Sequence, residues 1–264
     1  MSINPELKDL SSSAITLAQI SDCHLFADKS ALHCGVNVYD NLQRVLTELS
    51  NNHALDYLVF TGDLSQDHTE LSYRHFADLV RQANLKVPVY FLPGNHDDES
   101  LLNKYLTPPY FHPGKVIEDL RWQVCLLSSK GDTPAGYLSK QSLQQLKQAV
   151  NPDKSQLIFM HHHPVAVGYF IDRHGLTNAE EFWQLTENFP SMKAVACGHV
   201  HRGLTLSPEN SGCPLVVHTC PATSIQFDPG CETVSALAQG PGYRLFTLNE
   251  DTSINTQVHY LEVL

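Results

Sequence analysis

Runs of apolar, β-branched residues alternate along this chain with segments whose apolar positions recur at helical spacing. Strand-like runs lie at residues 14–20, 57–61, 89–92, 122–127, 157–160 and 194–197. Between them, 38–49 carries Val38, Leu42, Val45, Leu46 and Leu49 on one helical face, and 71–80 and 143–150 repeat that pattern. Residues 179–189 form a weaker helix of the same kind. This order of periods predicts βαβ units and an α/β fold with largely parallel strands. After about Arg202 the helical spacing stops. Short apolar runs at 214–218, 243–248 and 256–261, parted by Gly-, Pro- and Ser-rich turns, predict antiparallel strands completing a second sheet. Residues 107–114 and 230–242 read as Pro- or Gly-rich loops. No linker, repeat or low-complexity segment divides the chain, so residues 1–264 are expected to form one domain.

Composition narrows the function rather than the fold. Hydrophobic residues make up 42% and charged residues 17%, an ordinary globular balance. A formal net charge of -11 excludes a general nucleic-acid binder, which needs a basic field to displace counterions from phosphates. It leaves room for a small phosphate substrate, because bound cations reverse the local potential. Seven cysteines, an odd number without a CxxC pair, argue against a disulfide framework. Cys125 and Cys197 sit in apolar runs and read as buried small hydrophobes. Residues 1–13 have no apolar core of signal-peptide length. No stretch approaches the roughly 20 apolar residues of a membrane span. A cytoplasmic protein with neither a membrane nor a nucleic-acid partner is the expectation.

The chemistry lies just past five of the apolar runs. Asp22-Cys23-His24 follows the first, Gly62-Asp63 the second, and Gly94-Asn95-His96-Asp97 the third. His161-His162-His163 and Gly198-His199-Val200-His201 follow the last two. Carboxylates, imidazoles and an amide oxygen hold borderline and hard divalent metals. Side chains at i and i+2 of an extended segment share a face. Asp22 and His24 are therefore predicted to aim at one point, as are His199 and His201, with Cys23 and Val200 pointing away. Each cluster ends a strand at its carboxyl side, where ligands bind in open α/β sheets. Gly62, Gly94 and Gly198 are expected to permit tight turns there. Seven donors suit two metals sharing a carboxylate: Asp22, His24 and His201 on one, Asn95, His161 and His199 on the other, with Asp63 bridging. Two metals roughly 3.5–4 Å apart activate a trapped water and clamp phosphoryl oxygens. His96 is the candidate general acid for the leaving oxygen. Asp97 is the expected partner fixing its tautomer.

These clusters, in this order from Ile20 to His201, resemble the calcineurin-like metallophosphoesterases. The resemblance implies a four-layer α/β/β/α sandwich with two mixed sheets, and carries over the ligand assignment motif by motif. A closer likeness is to the bacterial class III cyclic AMP phosphodiesterases, on residues 19–26 (QISDCHLF), 61–67 (TGDLSQD), 92–97 (LPGNHD), 161–165 (HHHPV) and 197–201 (CGHVH). Residues 35–37 (GVN), 73–77 (YRHFA), 224–227 (SIQF) and 241–244 (PGYR) look similar too. This likeness implies hydrolysis of 3',5'-cyclic AMP to 5'-AMP, with Asp63 and His96 in the chemical step. The nucleotide phosphate would meet the metals together with Asn95 and His96, bordered by His24, Asp63 and His201.

Fifteen histidines make coincidence certain, so most outside the motifs should be bystanders. His33, His53, His68, His75, His112, His218 and His259 are expected in the core or on the surface without a role. His174 stands apart, because residues 170–178 resemble the family's loop near the substrate mouth. In the triplet, His161 is the expected ligand, His162 faces away, and His163, held extended by Pro164, supports from behind. Asp67 and Asp98 read as capping or solvated carboxylates, and Arg202 as a surface arginine. A broader phosphoesterase acting on 2',3'-cyclic nucleotides or glycerophosphodiesters is the nearest alternative function. A non-catalytic scaffold would have lost ligands, and none is lost. The donors accept iron or manganese first, with zinc or cobalt compatible. A monomer or weak homodimer is expected.

Overall fold

A computed structural model describes residues 14–52, 54–211 and 214–263. Residues 1–13, read above for a leader, and the bystander His53 lie outside the described residues. The chain opens with β1 (Ile15–Ile20), a small hairpin of β2 (Leu32–His33) and β3 (Val36–Asn37), and α1 (Val38–Ser50). It continues through β4 (Tyr57–Phe60), α2 (Glu70–Ala83), β5 (Val89–Phe91), α3 (Glu99–Tyr105) and β6 (Phe111–His112). Next come β7 (Val116–Glu118), β8 (Trp122–Leu126), α4 (Lys140–Ala149), β9 (Ser155–Met160), a 3-10 turn at Phe170–His174 and α5 (Ala179–Thr186). The last part holds β10 (Met192–Cys197), β11 (Thr205–Leu206), α6 (Pro208–Ser211), β12 (Val216–Thr219), β13 (Gly242–Leu248) and β14 (Ile254–Tyr260).

The strands form two six-stranded mixed sheets, ordered β14-β13-β1-β4-β5-β6 and β11-β12-β10-β9-β8-β7. Ile15, Leu17, Val59 and Tyr90 from the first sheet pack against Val124, Leu126, Leu157, Phe159, Ala194 and Ala196 from the second. On the outer face of the first sheet lie α1, α2 and α3, through Leu42, Val45, Phe76 and Leu102. The second sheet's outer face takes α4 and α5, through Leu146 and Phe182. Both faces of each sheet are therefore covered, which is why the parallel strands read as continuous apolar runs rather than alternating ones. The order helix, sheet, sheet, helix is the four-layer α/β/β/α sandwich.

Local chemistry sets the helix ends that flank the motifs. Asn37 Oδ1 accepts the Asp40 N–H to cap α1, and Asp98 caps α3 through the Ser100 and Leu101 N–H groups. Asn84, left-handed, closes α2.

The reading after Arg202 needs correcting. β12 runs parallel to β10, not antiparallel, and the β13–β14 hairpin joins the first sheet beside β1. The alternation of β13 explains the placement: Phe246 and Leu248 face the inter-sheet core, while Tyr243 packs under the helices. Arg244, almost fully buried, reaches across the sandwich to donate to the Thr219 and Leu204 carbonyls. That tie gives the PGYR stretch its structural job. The expected loop at 107–114 contains the short strand β6, and α3 and the β2–β3 hairpin carried too few residues to show a period.

Candidate metal centre

The donors converge at the carboxyl ends of β1, β4, β5, β9 and β10, but not as an extended chain would bring them. Asp22, His24, Asp63, His199 and His201 all have positive φ, between 48° and 65°. The i, i+2 argument is thus replaced by another: each motif leaves its strand through left-handed residues that swing the side chains inward. Asp and His tolerate that region better than most residues, and strain there is characteristic of functional sites. Cys23 and Val200 do point away, into apolar clusters, and burial pushes the Cys23 thiol well up, keeping it protonated. Only Gly62 of the three motif glycines is left-handed; a Cβ on Gly94 would strike the Asp63 carboxylate. Gly94 is there for close approach rather than for a turn.

Hydrogen bonds decide which nitrogen each imidazole presents. His161 Nδ1 lies 2.7 Å from the Thr61 carbonyl oxygen, and His201 Nδ1 lies 2.7 Å from that of Ile225. A carbonyl only accepts, so both Nδ1 atoms carry hydrogen, and Nε2 is the atom that each ring has left for a ligand or a further proton. Both Nε2 atoms face acceptors. His161 Nε2 is 3.4 Å from Asp63 Oδ2 and 3.1 Å from Asn95 Oδ1, and His201 Nε2 is 3.3 Å from Asp22 Oδ1. His24 Nε2 sits 3.1 Å from His201 Nε2, and His199 Nδ1 sits 3.1 Å from His161 Nε2. Acceptors aimed at one another inside a buried space require positive charge between them. The donor set fits two cations.

The ionisation pattern agrees. Burial opposes a charge on His161, yet the Asp63 and Asp22 carboxylates push it up to about 9, so a proton is drawn to the place a cation would take. Burial holds His24 and His199 well below the usual imidazole range, in the neutral form that ligates. Burial by itself would raise the Asp63 carboxyl, but His161 and His24 hold it well below the usual carboxylate range. Asp63 Oδ2 lies 3.8 Å from His24 Nε2 as well as near His161, facing one imidazole of each proposed set. Its Oδ1 accepts the His96 N–H at 2.9 Å.

Residues of the SIQF stretch back the first set. Ser224 donates its backbone N–H and its hydroxyl to the Asp22 carbonyl, Ile225 fixes His201, and Phe227 stacks on the His201 ring at 3.8 Å. Such partners behind the ligands orient them and tune their basicity.

Several expectations shift. Asp97 does not touch the His96 ring; its carboxylate accepts the N–H groups of Asp63, Leu64 and Gly94 at 2.8, 2.9 and 2.8 Å. Burial and the nearby Asp63 push the Asp97 carboxyl up to about 7. His162 is fully buried rather than turned away, its ring 4.7 Å from that of His199. Both its nitrogens are engaged, Nε2 donating to the Pro134 carbonyl and Nδ1 accepting from Ser129, so it has no lone pair to offer. His163 stacks on His199 and bonds Asp172, which also accepts the Val167 and Gly168 N–H groups. Asp98 caps the start of α3, as read, whereas Asp67 accepts the Ala27 and Thr69 N–H groups in the turn before α2. Half-buried Arg202 lies over the Tyr169 ring.

Two supposed bystanders lie against histidines of the proposed site. His33, on the β2–β3 hairpin, stacks over His24 with ring centroids 5.5 Å apart, and burial there pulls it down to about 4. His68 stacks on His96. Neither carries a motif; the one available signal was that His68 shares the strand-to-helix loop of Asp63. His75, His112, His218 and His259 lie elsewhere, bonded to Ala27, packed on Tyr90, bonded to Thr205 and stacked on Tyr243. His174 is half-buried in the 3-10 turn.

Residues 15–203 match the family model described as calcineurin-like phosphoesterase. A Colwellia psychrerythraea protein named "Probable cyclic nucleotide phosphodiesterase" is 51% identical over 249 residues, covering 92% of this chain and 94% of that protein. A Vibrio vulnificus protein named "3',5'-cyclic adenosine monophosphate phosphodiesterase CpdA" is 37% identical over 258 residues, covering 96% and 92%. The same fold occurs in a purple acid phosphatase from yellow lupin seeds, with a TM-score of 0.63 at 12% identity over 96% of this chain and 52% of that one. A dimetal phosphatase from Danio rerio gives 0.57 at 14% identity over 93% and 99%. No described helix is long and apolar enough to cross a membrane. With these matches and with its five motifs at the ends of parallel strands, the chain belongs to the calcineurin-like phosphoesterase family.

Proposed function

We propose that this protein hydrolyses 3',5'-cyclic AMP to 5'-AMP, using two cations, iron or manganese, held by Asp22, His24, Asp63, Asn95, His161, His199 and His201. The observation that carries the reading is the pair of Nε2 atoms, on His161 and His201, facing the Asp63 and Asp22 carboxylates. Zinc and cobalt suit the same nitrogen and oxygen donors. When bound, the two cations activate a water and neutralise the phosphoryl oxygens.

The chain's own residues do the rest. Asp63 offers one carboxylate oxygen to both sets and orients His96 through its backbone N–H. Asn95 projects its amide oxygen beside His161. His96, half-buried, sits with its ring edge-on to His24 at 5.0 Å, at the margin of the donor cluster. From there it protonates the departing ribose 3'-oxygen, an alkoxide that is a poor leaving group without a proton. The names of relatives at 37% and 51% identity support a cyclic nucleotide as substrate. The inter-sheet core, which draws on Ile15 and Leu248 alike, supports one domain across the chain.

Steady-state rates on a panel of 3',5'-cyclic AMP, 2',3'-cyclic AMP and glycerophosphodiesters test the reading. The highest kcat/KM belongs to 3',5'-cyclic AMP if it holds. A preference for the 2',3' ring or the open diesters sinks it.

A further inference from the structure

Among the described residues the His96 ring makes no hydrogen bond that would fix it. Its Nδ1 is buried with no hydrogen-bond partner among the described residues, and Asp97 is committed to backbone N–H groups elsewhere. Yet a general acid must be held to a fraction of an ångström. What meets the ring is His68: the two imidazoles lie nearly parallel, 9° apart, with centroids 5.5 Å apart. His68 Nδ1 also donates to the His96 carbonyl at 3.0 Å. The opposite constraint comes from His24, whose ring meets His96 at 86°.

His68 is exposed, but its backbone is fixed. It sits at φ 57°, a left-handed position that histidine tolerates. Asp67 pins the turn on both sides, accepting the Ala27 N–H at 2.7 Å and the Thr69 N–H at 3.1 Å. Ser65 and Ser72 bond across its base at 2.7 Å. The platform is rigid although its surface is wet.

We propose that His68 is a positioning residue for the reaction: its ring forms a flat support that sets the orientation of His96, and its Nδ1–H anchors the His96 backbone. This rests on the reading of His96 as the acid. Offset parallel rings at this separation attract. The support matters only where protonation of the leaving group limits the rate.

His68→Asn separates the two contacts. Asparagine accepts the left-handed backbone and places an amide N–H where Nδ1 stands, but it removes the ring. His68→Phe keeps a ring and removes the donor. Rates on 3',5'-cyclic AMP and on bis(p-nitrophenyl) phosphate, whose leaving group needs no proton, are measured with bound metal for both variants and for His96→Ala. His68→Asn is expected to lose roughly 10-fold or more on cyclic AMP, within the range of a misplaced catalytic group, and under about 2-fold on the activated diester. His68→Phe, which keeps the ring but loses the anchor at a backbone angle phenylalanine tolerates less well, should fall between the parent and His68→Asn on cyclic AMP, and metal content should stay unchanged in both. Equal losses on the two substrates, or a His68→Asn variant with unchanged rate on cyclic AMP while His96→Ala shows the selective loss, overturns the proposal. If His96→Ala itself loses equally on both substrates, the reading of His96 as the acid has failed, and the proposal falls with it.

Discussion

Asp97→Asn distinguishes between two jobs for one buried carboxylate. Oδ2 of Asp97 accepts the Asp63 and Gly94 N–H groups and Oδ1 accepts that of Leu64. An asparagine can aim its oxygen at the first pair, but its NH2 group then faces the Leu64 N–H, donor against donor. A lost hydrogen bond to a charged acceptor costs about 1.5–3 kcal/mol, and the stranded buried donor adds to that. Removing the repulsion with Asp63, which helps push Asp97 up to about 7, works in the opposite direction. The net expectation is about 2 kcal/mol, or about 4–8 °C in Tm for a chain of this size. Because the disturbed turn carries Asp63, metal content should fall and rates on cyclic AMP and bis(p-nitrophenyl) phosphate should drop together. Differential scanning fluorimetry, metal analysis and the two rates are enough. Unchanged Tm and metal content, with a loss confined to cyclic AMP, would instead give Asp97 the role of orienting His96.

Asp63 faces an imidazole of each proposed set, so Asp63→Ala should cost at least about 10³-fold in turnover and lower bound metal; a folded variant with normal activity removes the bridge from the account. In the triplet, His161→Ala should lower bound metal toward one equivalent and His162→Ala should keep two. His163→Ala should keep metal but slow turnover by about 10–100-fold, since its ring backs His199. Metal loss in His163→Ala with retention in His161→Ala contradicts the assignment.

The candidate site was legible in the sequence because its donors cluster within a few residues of strand ends, and strand ends are marked by apolar runs. Asp22, Asp63, Asn95, His161 and His199 could be placed on one rim from that alone. Their left-handed backbones could not, because nothing in Asp-Cys-His distinguishes an extended exit from a turned one. His33 and His68 were invisible for another reason: each is a lone histidine whose meaning comes from the ring it meets in space. Asp97 illustrates how proximity in sequence misleads, since its neighbour His96 points one way and its own carboxylate binds the turn of Asp63. In the fold, α1 and α2 announced themselves by their spacing. The sheet joined by β13 did not, because alternation specifies two faces but not which edge accepts them.

Two cations in the seven-donor site are proposed to enable cleavage of the 3' bond of cyclic AMP. The most direct measurement is a titration of metal-free protein with Mn2+ under 3',5'-cyclic AMP, with chromatographic identification of the product. The rate should rise from near zero and saturate near two equivalents per chain, with 5'-AMP as the sole nucleotide product. Full activity in the metal-free protein, or release of 3'-AMP, would contradict it.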